Sequence, residues 1–370
     1  MKHGAPLNVN DPRTPFDLNE ALRQLQGRTS ALIYAHDNPD PDALAAALGL
    51  GVLLEKEIGA AVTLAQGGIV GRAQNRAMVE TLKIGLVPVE RVEPDEFDII
   101  ALVDSQPETG NNSLPVGHRL DIVIDHHPPR AASARAPWCD IRPERGATST
   151  MVFDYLRERQ IAIEARLATA FFFALRTETR DLGREATEAE RRAYLELIQI
   201  VDHNLLYRMA HPKVPREHFA ALDRALRSAQ IHGDIVAVNL GTLGYPDLVA
   251  EIADLLLSYE GARFVLCMGQ YDGSAYLSLR TEASEARAGS VMRQVVGADG
   301  AAGGHGTMAG ARLFARVESD QSLHATFLEM VRRLREVLGH DALPAEPLLR
   351  AQNARAAKTW SGRPRPPPER

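Results

Sequence analysis

Three groups of acidic residues and histidines in the first half of the sequence have the composition of a metal site. Residues 36–42, HDNPDPD, place a histidine and two carboxylates at H-x-x-x-D-x-D spacing. Asp104 follows an apolar run, and residues 125–127, DHH, follow another. Imidazole and carboxylate ligands without thiolate suit Mn²⁺ or Mg²⁺ better than structural zinc. Two such ions can clamp the attacking and leaving oxygens of a phosphoryl displacement, so these residues indicate metal-assisted phosphoester hydrolysis.

Predicted strands would position these groups. Short β-branched runs alternate with helical patterns through the first half, which predicts a parallel sheet covered by helices. We expect strands over residues 31–35, 61–65, 98–103 and 121–124, and helices over 43–57, 73–82, 147–159 and 165–178. Because open α/β sheets bind ligands beyond the carboxyl ends of their strands, the three groups should meet at one edge of the sheet.

Two of these residues also have a purely structural interpretation. Asp40 precedes Pro41. Aspartate is a typical N-cap residue, and proline is a typical first residue of a helix. A lone aspartate at a strand end, such as Asp104, is often only a hydrogen-bonding residue of the loop. An ionised carboxylate at the end of a buried strand nevertheless needs a partner, and a cation supplies one. Three such strand ends, two of them with neighbouring histidines, favour metal binding.

The second half of the sequence contains a separate candidate for anion binding. Residues 303–310, GGHGTMAG, come after Arg280, which ends a predicted strand. Glycine-rich backbone can present its N–H groups to an anion, and His305 and Arg280 can each donate to a phosphate. The alternative is a flexible loop with one incidental histidine.

The pattern beyond residue 188 predicts a second, smaller domain. A mainly helical stretch, 188–228, is interrupted by Pro212 and Pro215, which indicate turns or a hinge. The elements expected after it are a strand over 235–240, a helix over 246–259, a hairpin of 264–268 and 275–279, a helix over 288–296, a glycine-rich loop, a strand, and a helix over 323–338. Residues 344–370, rich in proline and basic residues, are predicted to form a disordered tail.

The composition of the chain excludes several classes of protein. Hydrophobic residues make up 45% and charged residues 24% of the 370 residues, which rules out a wholly disordered, collagen-like or coiled-coil chain. The formal net charge of −6 argues against long contacts with duplex nucleic acid, which require many cations. The longest apolar run, 167–175, is less than half of the roughly 20 residues that cross a bilayer. A cytoplasmic protein is therefore expected, with Cys139 and Cys267 as buried thiols.

Taken in order, the motifs HDNPDPD, ALVD, VIDHHP and GGHGTMAG resemble those of the DHH superfamily of phosphoesterases that carry a DHH-associated C-terminal domain. The nano-RNase and pAp-phosphatase group, the bifunctional oligoribonucleases, is closest in size. The resemblance covers residues 17–340 and implies an α/β fold with an N-terminal parallel-sheet domain, helices on both its faces, and a smaller α/β C-terminal domain. The implied division is a catalytic domain over 17–212, a linker over 213–230, and a substrate-binding domain over 231–340.

The resemblance also implies roles for individual residues. The implied ligands of two divalent ions, most simply Mn²⁺ with Mg²⁺ as the alternative, are His36, Asp40, Asp42, Asp104, His126 and Glu178, with Asp104 bridging. The implied catalytic residues are Asp125, behind the ligands or binding weakly, and His127 and Arg280, which contact the substrate phosphate. The implied substrate-binding residues are Arg72, Arg280, Gly303, Gly304, His305 and Gly306.

The sequence departs from the family pattern at two positions. In the fourth motif, Glu178 stands where the family has a metal-binding aspartate, and Asp181 is the alternative ligand three residues further on. The side chain of glutamate has one more methylene group than that of aspartate. It therefore changes the geometry of the carboxylate at the metal and the distance between the two ions, on which the activity depends. In the glycine-rich motif, Met308 replaces an alanine and would narrow the pocket for substrate.

These features together favour an enzyme that hydrolyses short oligonucleotides or 3′-phosphoadenosine 5′-phosphate (pAp) with a hydroxide held between two metal ions. The partners expected are short single strands or nucleotides, without membrane or long duplex, and a homodimer is a further expectation. The prolines at 212 and 215 would let one domain close on the other. Two alternatives remain: a phosphodiesterase for cyclic dinucleotides or their linear products, and a nucleotide-binding regulator whose metal site is impaired by Glu178.

Overall fold

The protein folds into two compact units. A computed structural model describes residues 16–283, 287–340 and 344–349, and the chain divides between Val214 and Pro215. Each unit has its own sheet and its own hydrophobic core. The predicted α/β architecture, with a parallel-sheet unit followed by a second unit, is confirmed.

The first unit is built on a six-stranded parallel sheet. Its strands are β1 (Ser30–Tyr34), β2 (Ala61–Gln66), β3 (Leu86–Pro88), β4 (Ile99–Val103), β5 (Ile122–Asp125) and β6 (Trp138–Ile141). They lie in the order β3-β2-β1-β4-β5-β6 and pair in parallel throughout. In β4 every side chain is buried, as expected for a parallel strand covered on both faces. The four strands predicted from β-branched runs are present, and β3 and β6 are additional.

Seven helices surround this sheet within the described part of the first unit. They are α1 (Leu18–Gln24), α2 (Pro41–Ile58), α3 (Ala73–Thr81), α4 (Thr148–Glu158), α5 (Ala165–Glu178), α6 (Glu188–Leu197) and α7 (His203–Ala210). The helix α2 buries Leu44, Leu50 and Leu54 in the core and ends at Gly59, whose φ of 72° completes the left-handed C-cap. This helix begins immediately after the acidic motif, so its packing fixes where that motif lies.

The second unit contains a mixed sheet in the order β11-β12-β10-β9-β8-β7-β13. Its strands are β7 (Gln230–His232), β8 (Ile235–Thr242), β9 (Phe264–Tyr271), β10 (Ser274–Thr281), β11 (Gly300–His305), β12 (Met308–Arg316) and β13 (Glu346–Pro347). Strands β8 and β9 are parallel and the other pairs are antiparallel. Its helices are α8 (Arg216–Ser228), α9 (Leu248–Leu256), α10 (Ala288–Val296) and α11 (Asp320–Leu338). The segment predicted as a linker, 213–230, holds α8, which belongs to this unit.

The glycine-rich segment was expected to be a loop, and that prediction is wrong. Residues Gly300–His305 form β11, which pairs with β12 across a turn at Gly306 and Thr307. The glycines allow a close approach between β11 and α10, because a Cβ added to Gly289 would lie 2.1 Å from the carbonyl oxygen of Gly304. Tertiary packing therefore makes a strand from residues of low strand propensity.

The end of the described chain also differs from expectation. The tail was predicted to be disordered from residue 344, but Glu346–Pro347 form β13 and pair with β7. The rest of the predicted tail, 350–370, lies outside the described residues. Among the described residues, no helix is both long enough and apolar enough to span a membrane. Cys139 and Cys267 are free thiols; Cys267 is buried, as predicted, whereas Cys139 is only half-buried.

Candidate metal centre

The predicted metal-binding residues meet at the carboxyl edge of the first sheet. Strands β1, β4 and β5 are neighbours, and His36, Asp104 and Asp125 stand at or just beyond their carboxyl ends. The chain runs from β1 outward through β2 to β3, then returns to β4 and continues outward on the other side. The residues thus lie at the point where the strand order reverses, which is the usual ligand-binding position of such sheets.

Asp104 lies between two sets of potential ligands. One set is His36, Asp40 and Asp104, and the other is Asp104, His126 and His127; in each, ligand atoms lie within 4.8 Å of one another. The Nε2 atoms of His36 and His126 lie 3.7 and 3.6 Å from different oxygens of Asp104. Ligands held about 2.1 Å from one ion are separated by about 3.0–3.4 Å, so these spacings are close to those of a loaded site.

Backbone carbonyls hold both imidazoles in the orientation that a metal requires. Nδ1 of His36 lies 2.9 Å from the carbonyl oxygen of Asp37, and Nδ1 of His126 lies 3.2 Å from that of Arg145. Because a carbonyl only accepts hydrogen bonds, Nδ1 carries the hydrogen in each ring. In the neutral ring, Nε2 then presents its lone pair toward Asp104, as in histidine ligands whose other nitrogen is held by the protein.

Asp40 serves as a helix cap and also belongs to a ligand set. Its Oδ1 accepts hydrogen bonds from the backbone N–H groups of Asp42 and Ala43, at 2.9 and 3.1 Å. The capping interpretation is therefore confirmed. The same carboxylate lies 3.7 Å from Nε2 of His36. A carboxylate offers about four lone-pair sites, so the two roles are compatible.

Asp42 lies outside both ligand sets and caps a second helix. Its two oxygens accept from the backbone N–H groups of Thr148 and Ser149 at the start of α4, at 2.7 and 3.0 Å. The helix has no side-chain cap of its own from Ala147, so the buried Asp42 satisfies donors that would otherwise be orphaned. Asp42 also interacts electrostatically with Asp104, which places its charge beside the site.

Asp104 is held in an unusual backbone conformation. Its φ is 55°, in the left-handed region that aspartate tolerates better than most residues, and its side chain is only 4% exposed. Oδ1 accepts a hydrogen bond from Oγ1 of Thr148 at 2.8 Å. Burial, together with the charges of Asp42 and Asp40, raises the pKa of Asp104 well above its usual range. The protein alone thus disfavours the ionised form that a cation would stabilise.

The charge balance of the site favours a cation. Five carboxyl groups interact electrostatically here, and they are Asp40, Asp42, Asp104, Asp125 and Glu178. Burial opposes protonation of His36, but Asp40 and Asp104 raise its pKa to about 10. The field that stabilises an imidazolium at this position would also stabilise a metal ion. Oxygen and imidazole donors in this arrangement suit a divalent cation.

Asp125 orients His127 and does not enter either ligand set. Oδ1 of Asp125 lies 2.8 Å from Nδ1 of His127 and also accepts from the backbone N–H of that residue at 3.2 Å. Burial opposes protonation, but this bond and the charges of Asp104, Asp125 and Glu178 raise the pKa of His127 to about 9. The pair is therefore a buried carboxylate that orients the imidazole of His127, which is also a member of the second ligand set.

Glu178, at the departure from the family pattern, contacts Arg184. Its Oε1 lies 2.9 Å from Nη2 of Arg184, and the two side chains are 13% and 12% exposed. Burial and the charges of Asp40 and Asp42 raise the pKa of Glu178 to about 8. The alternative ligand Asp181 is 58% exposed and forms an ion pair with Arg176. Glu178 thus lies in the field of the site, whereas the carboxylate of Asp181 is held by Arg176.

Residues 30–175 match the DHH family, N-terminal domain. This segment contains the HDNPDPD, ALVD and VIDHHP motifs. An uncharacterized protein of Methanocaldococcus jannaschii is 31% identical over 315 residues, which are 83% of this chain and 64% of that protein. An exopolyphosphatase-related protein from Bacteroides fragilis has a similar fold, with a TM-score of 0.68 at 15% identity over 86% of this chain and 96% of its own. The match over residues 30–175 supports the resemblance that the motifs indicated.

The predicted substrate-binding residues outside the DHH core lie in two places. Arg72 is the N-cap of α3 in the first unit and is half-buried. Arg280 is buried in the second unit, where its Nε donates to Oδ1 of Asp254 at 2.7 Å and its Nη1 to the carbonyl of Leu279. The glycines of the motif lie in β11 and its turn, with Gly303 and Gly304 exposed.

Sequence reasoning missed three residues that support the DHH site. Gln106 bonds to Asp125, Arg145 bonds through its carbonyl to His126, and Arg184 pairs with Glu178. All three are polar residues of loops without a metal-ligand spacing. The only sequence feature related to any of them is the capping box at the start of α6. Its residue Glu190 is completely buried and forms an ion pair with Arg145.

Proposed function

We propose that the chain is a metal-dependent phosphoester hydrolase that acts on short oligonucleotides and on nucleotides with a terminal phosphate, such as pAp. The observation that carries this proposal is the position of Asp104, whose two oxygens face two histidine-containing ligand sets. A carboxylate shared in this way suits a pair of divalent ions. When bound, such ions supply a hydroxide at neutral pH and stabilise charge on phosphate oxygens.

The side chains around the ions would hold the metal, set the local charge and contact the substrate phosphate. His36, Asp40, Asp104 and His126 would hold the ions. Asp42 and Glu178, whose pKa values are raised in the metal-free protein, would add negative charge when the cations favour their ionised forms. His127 lies beside Asp104 and can donate to a phosphate oxygen or protonate the leaving group. Asp125 keeps that imidazole directed by binding Nδ1.

Substrate selection is assigned to Arg72 and to the glycine-rich hairpin of β11 and β12. The exposed backbone of Gly303 and Gly304 can approach a nucleotide closely, and His305 and Gly306 follow in the same hairpin. Arg280 would act indirectly, since its guanidinium donates to Asp254 and to the carbonyl of Ala309 in β12. It would therefore hold the hairpin that carries the motif.

The test is hydrolysis of a diribonucleotide, of pAp and of a cyclic dinucleotide, each with Mn²⁺, by the wild type and by the His126→Ala variant. His203→Ala is the matched control, because His203 is exposed on α7 in the same unit. Loss of cleavage in His126→Ala alone supports the proposal. Equal activity in all three proteins would exclude this site as the active site, and the preferred substrate would identify the subgroup.

The pairing of Glu178 with Arg184 favours a second candidate, a nucleotide-binding regulator. In that case the fourth-motif carboxylate is neutralised by the protein instead of by a metal ion. The protein would then bind pAp or a dinucleotide with Mn²⁺ present and leave it intact. Gain of cleavage in Glu178→Asp, whose shorter side chain suits the family pattern, would support this candidate over the enzyme.

A further inference from the structure

Gln106 occupies a buried position between the metal centre and the loop after β5. It follows Asp104 by two residues, is 1% exposed, and uses both ends of its amide. Nε2 donates to Oδ2 of Asp125 at 2.7 Å and to the carbonyl of Pro128 at 3.1 Å. Oε1 accepts from the backbone N–H of Arg130 at 2.7 Å and from Oγ of Ser133 at 2.9 Å.

These contacts leave one orientation for the amide. The backbone N–H of Arg130 can only donate, so the atom that faces it must be the oxygen of Gln106. The nitrogen then faces the carboxylate of Asp125 and the carbonyl of Pro128. A carbonyl oxygen accepts and never donates, and the same is true of an ionised carboxylate. A rotation of the amide by 180° would place like groups opposite each other at both ends. The side chain is therefore fixed by four complementary partners.

Asp125 passes this constraint to His127. Its Oδ2 accepts from Gln106, whereas its Oδ1 accepts from the Nδ1 and the backbone N of His127. A carboxylate held at one oxygen cannot rotate freely, so the direction of the Oδ1 lone pairs is set by Gln106. The side chain of His127 is about one-third exposed, and its ring also lies 4.5 Å from the ring of His126, so the bond to Asp125 is the contact that directs its Nδ1.

We propose that Gln106 is a positioning residue that orients His127 toward the substrate through Asp125. The inference rests on the proposed hydrolase function, in which His127 contacts the phosphate. Neither ligand set contains Gln106 or Asp125. His127 belongs to the second set, but its Nδ1 is held by Oδ1 of Asp125 at 2.8 Å, and the proposed function assigns its imidazole to the substrate phosphate.

The first test compares Gln106→Met with Asn112→Ala. Methionine matches the size of glutamine and removes its hydrogen bonds, whereas Asn112 donates to the backbone carbonyl of Gln106 at 2.8 Å and does not touch its amide. We expect kcat to fall roughly 10–100-fold in Gln106→Met. Bound Mn²⁺ per chain should stay unchanged in both variants, and kcat should stay unchanged in Asn112→Ala. Equal losses in the two variants, or loss of bound metal, would assign Gln106 to loop folding instead.

A double-mutant cycle separates positioning from general structural support. If Gln106 acts through His127, then Gln106→Met should lower kcat by less than about 2-fold in a His127→Ala background, because the residue it orients is gone. If the kcat of the double variant falls by the product of the losses in the two single variants, Gln106 acts by another route and the proposal is overturned.

Imidazole NMR tests the positioning without any turnover. In ¹⁵N-histidine-labelled protein, the Nδ1–H signal of His127 should be protected from exchange in the wild type and in Asn112→Ala, and should broaden or disappear in Gln106→Met. An unchanged signal in Gln106→Met would refute the positioning role. If the wild type hydrolyses none of the phosphoesters but the signal changes as expected, the proposed function fails while the positioning of His127 by Gln106 stands.

Discussion

Among the individual residues, Asp104 combines features that are individually unfavourable. It is buried, it has a positive φ, and it lies beside two other carboxyl groups whose charges oppose its ionisation. Each of these costs free energy in the protein alone. A metal ion between the two ligand sets would compensate for the charge repulsion. The strain and the repulsion therefore have a common explanation in metal binding.

Asp104→Asn should separate metal binding from folding. Asparagine has the same shape, tolerates a positive φ, and can still accept from Thr148, but it carries no charge. We expect the metal-free protein to gain roughly 1–3 kcal/mol of unfolding free energy at pH 7, because a buried like charge is removed. Binding of both Mn²⁺ ions should be lost.

Urea unfolding in EDTA measures the first effect, and titration calorimetry with Mn²⁺ measures the second. His36→Ala is the matched comparison, since His36 belongs to one ligand set only. It should lose one ion and keep the other. Retention of two ions by Asp104→Asn would show that the residue is not shared.

Arg184 should weaken metal binding in the wild type. Its guanidinium carries a positive charge and pairs with the carboxyl group of Glu178, next to the site where a divalent ion would bind. We expect Arg184→Met to tighten Mn²⁺ binding by about 10-fold or more, because the repulsion is removed and Glu178 is released as a ligand. Titration calorimetry with Mn²⁺ measures the change.

Arg180→Met is the control for net charge, because Arg180 lies on the same turn and is exposed. It should change the affinity little. The same gain in both variants would mean that Mn²⁺ responds to the overall charge of the chain and not to the Glu178 pair.

Between elements, the contact of α4 with α6 supports the metal centre from behind. Oε1 of Glu190, at the start of α6, accepts from Nε of Arg145 at 2.9 Å and from Oγ1 of Thr150 at 2.8 Å. The carbonyl of Arg145 in turn holds His126. A buried ion pair in the helix layer thus sets the position of a metal-ligand candidate in the sheet layer.

Glu190→Gln should change how stability depends on pH. Although burial opposes it, hydrogen bonds from Thr187, Arg145 and Thr150 lower the pKa of Glu190 to about 2, below its usual 4.5. A lowered pKa stabilises the fold above pH 4.5, and this stabilisation, about 3 kcal/mol, is lost as the pH falls from 4.5 toward 2. The variant should therefore be less stable at pH 6 and lose less on acidification.

Calorimetric melting between pH 6 and pH 3 tests this expectation. Glu188→Gln on the same helix is the control, because the side chain of Glu188 is 87% exposed. It should behave like the wild type at every pH. Parallel pH curves for the wild type and Glu190→Gln would contradict the low pKa of Glu190.

The elements show which local signals suffice for prediction. The helices over 165–178 and 288–296 were predicted at the residues where they occur, because apolar side chains recur at helical spacing there. The strands β1, β4 and β5 are apolar runs and were predicted within one residue at each end. The strand Leu86–Pro88 is three residues long and ends in proline, and β11 is mostly glycine. Only their neighbours in the sheet make them strands, and no local pattern carries that information.

In the candidate metal centre too, the sequence predicts some features, and others depend on tertiary structure. His36, Asp104 and the DHH motif were predicted to converge because parallel strands bring their carboxyl ends to one edge. The partners of those residues were not predicted, since Gln106 and Arg184 bind groups whose nearness depends on how loops fold over that edge. Sequence spacing thus locates the ligands, whereas the hydrogen bonds that orient them follow from tertiary structure.

For the whole molecule, the central consequence is that the candidate metal centre belongs to one folding unit. Both ligand sets lie in the first unit, and the two units have separate hydrophobic cores. Units with separate cores can unfold in separate transitions. A ligand that binds one folded unit stabilises that unit by mass action and leaves a thermodynamically independent unit unchanged.

Mn²⁺ should therefore shift one of two calorimetric transitions. At a free Mn²⁺ concentration 100 times the dissociation constant, one ion adds about 2.7 kcal/mol, which for a unit of this size raises Tm by about 5–10 °C. The transition of the second unit should not move, and EDTA should reverse the shift. Asp104→Asn identifies the responding unit, because its melting curve should be the same with and without Mn²⁺. A shift of both transitions by equal amounts would mean that the two units unfold as one, so that metal bound at the sheet edge of the first unit stabilises the whole chain.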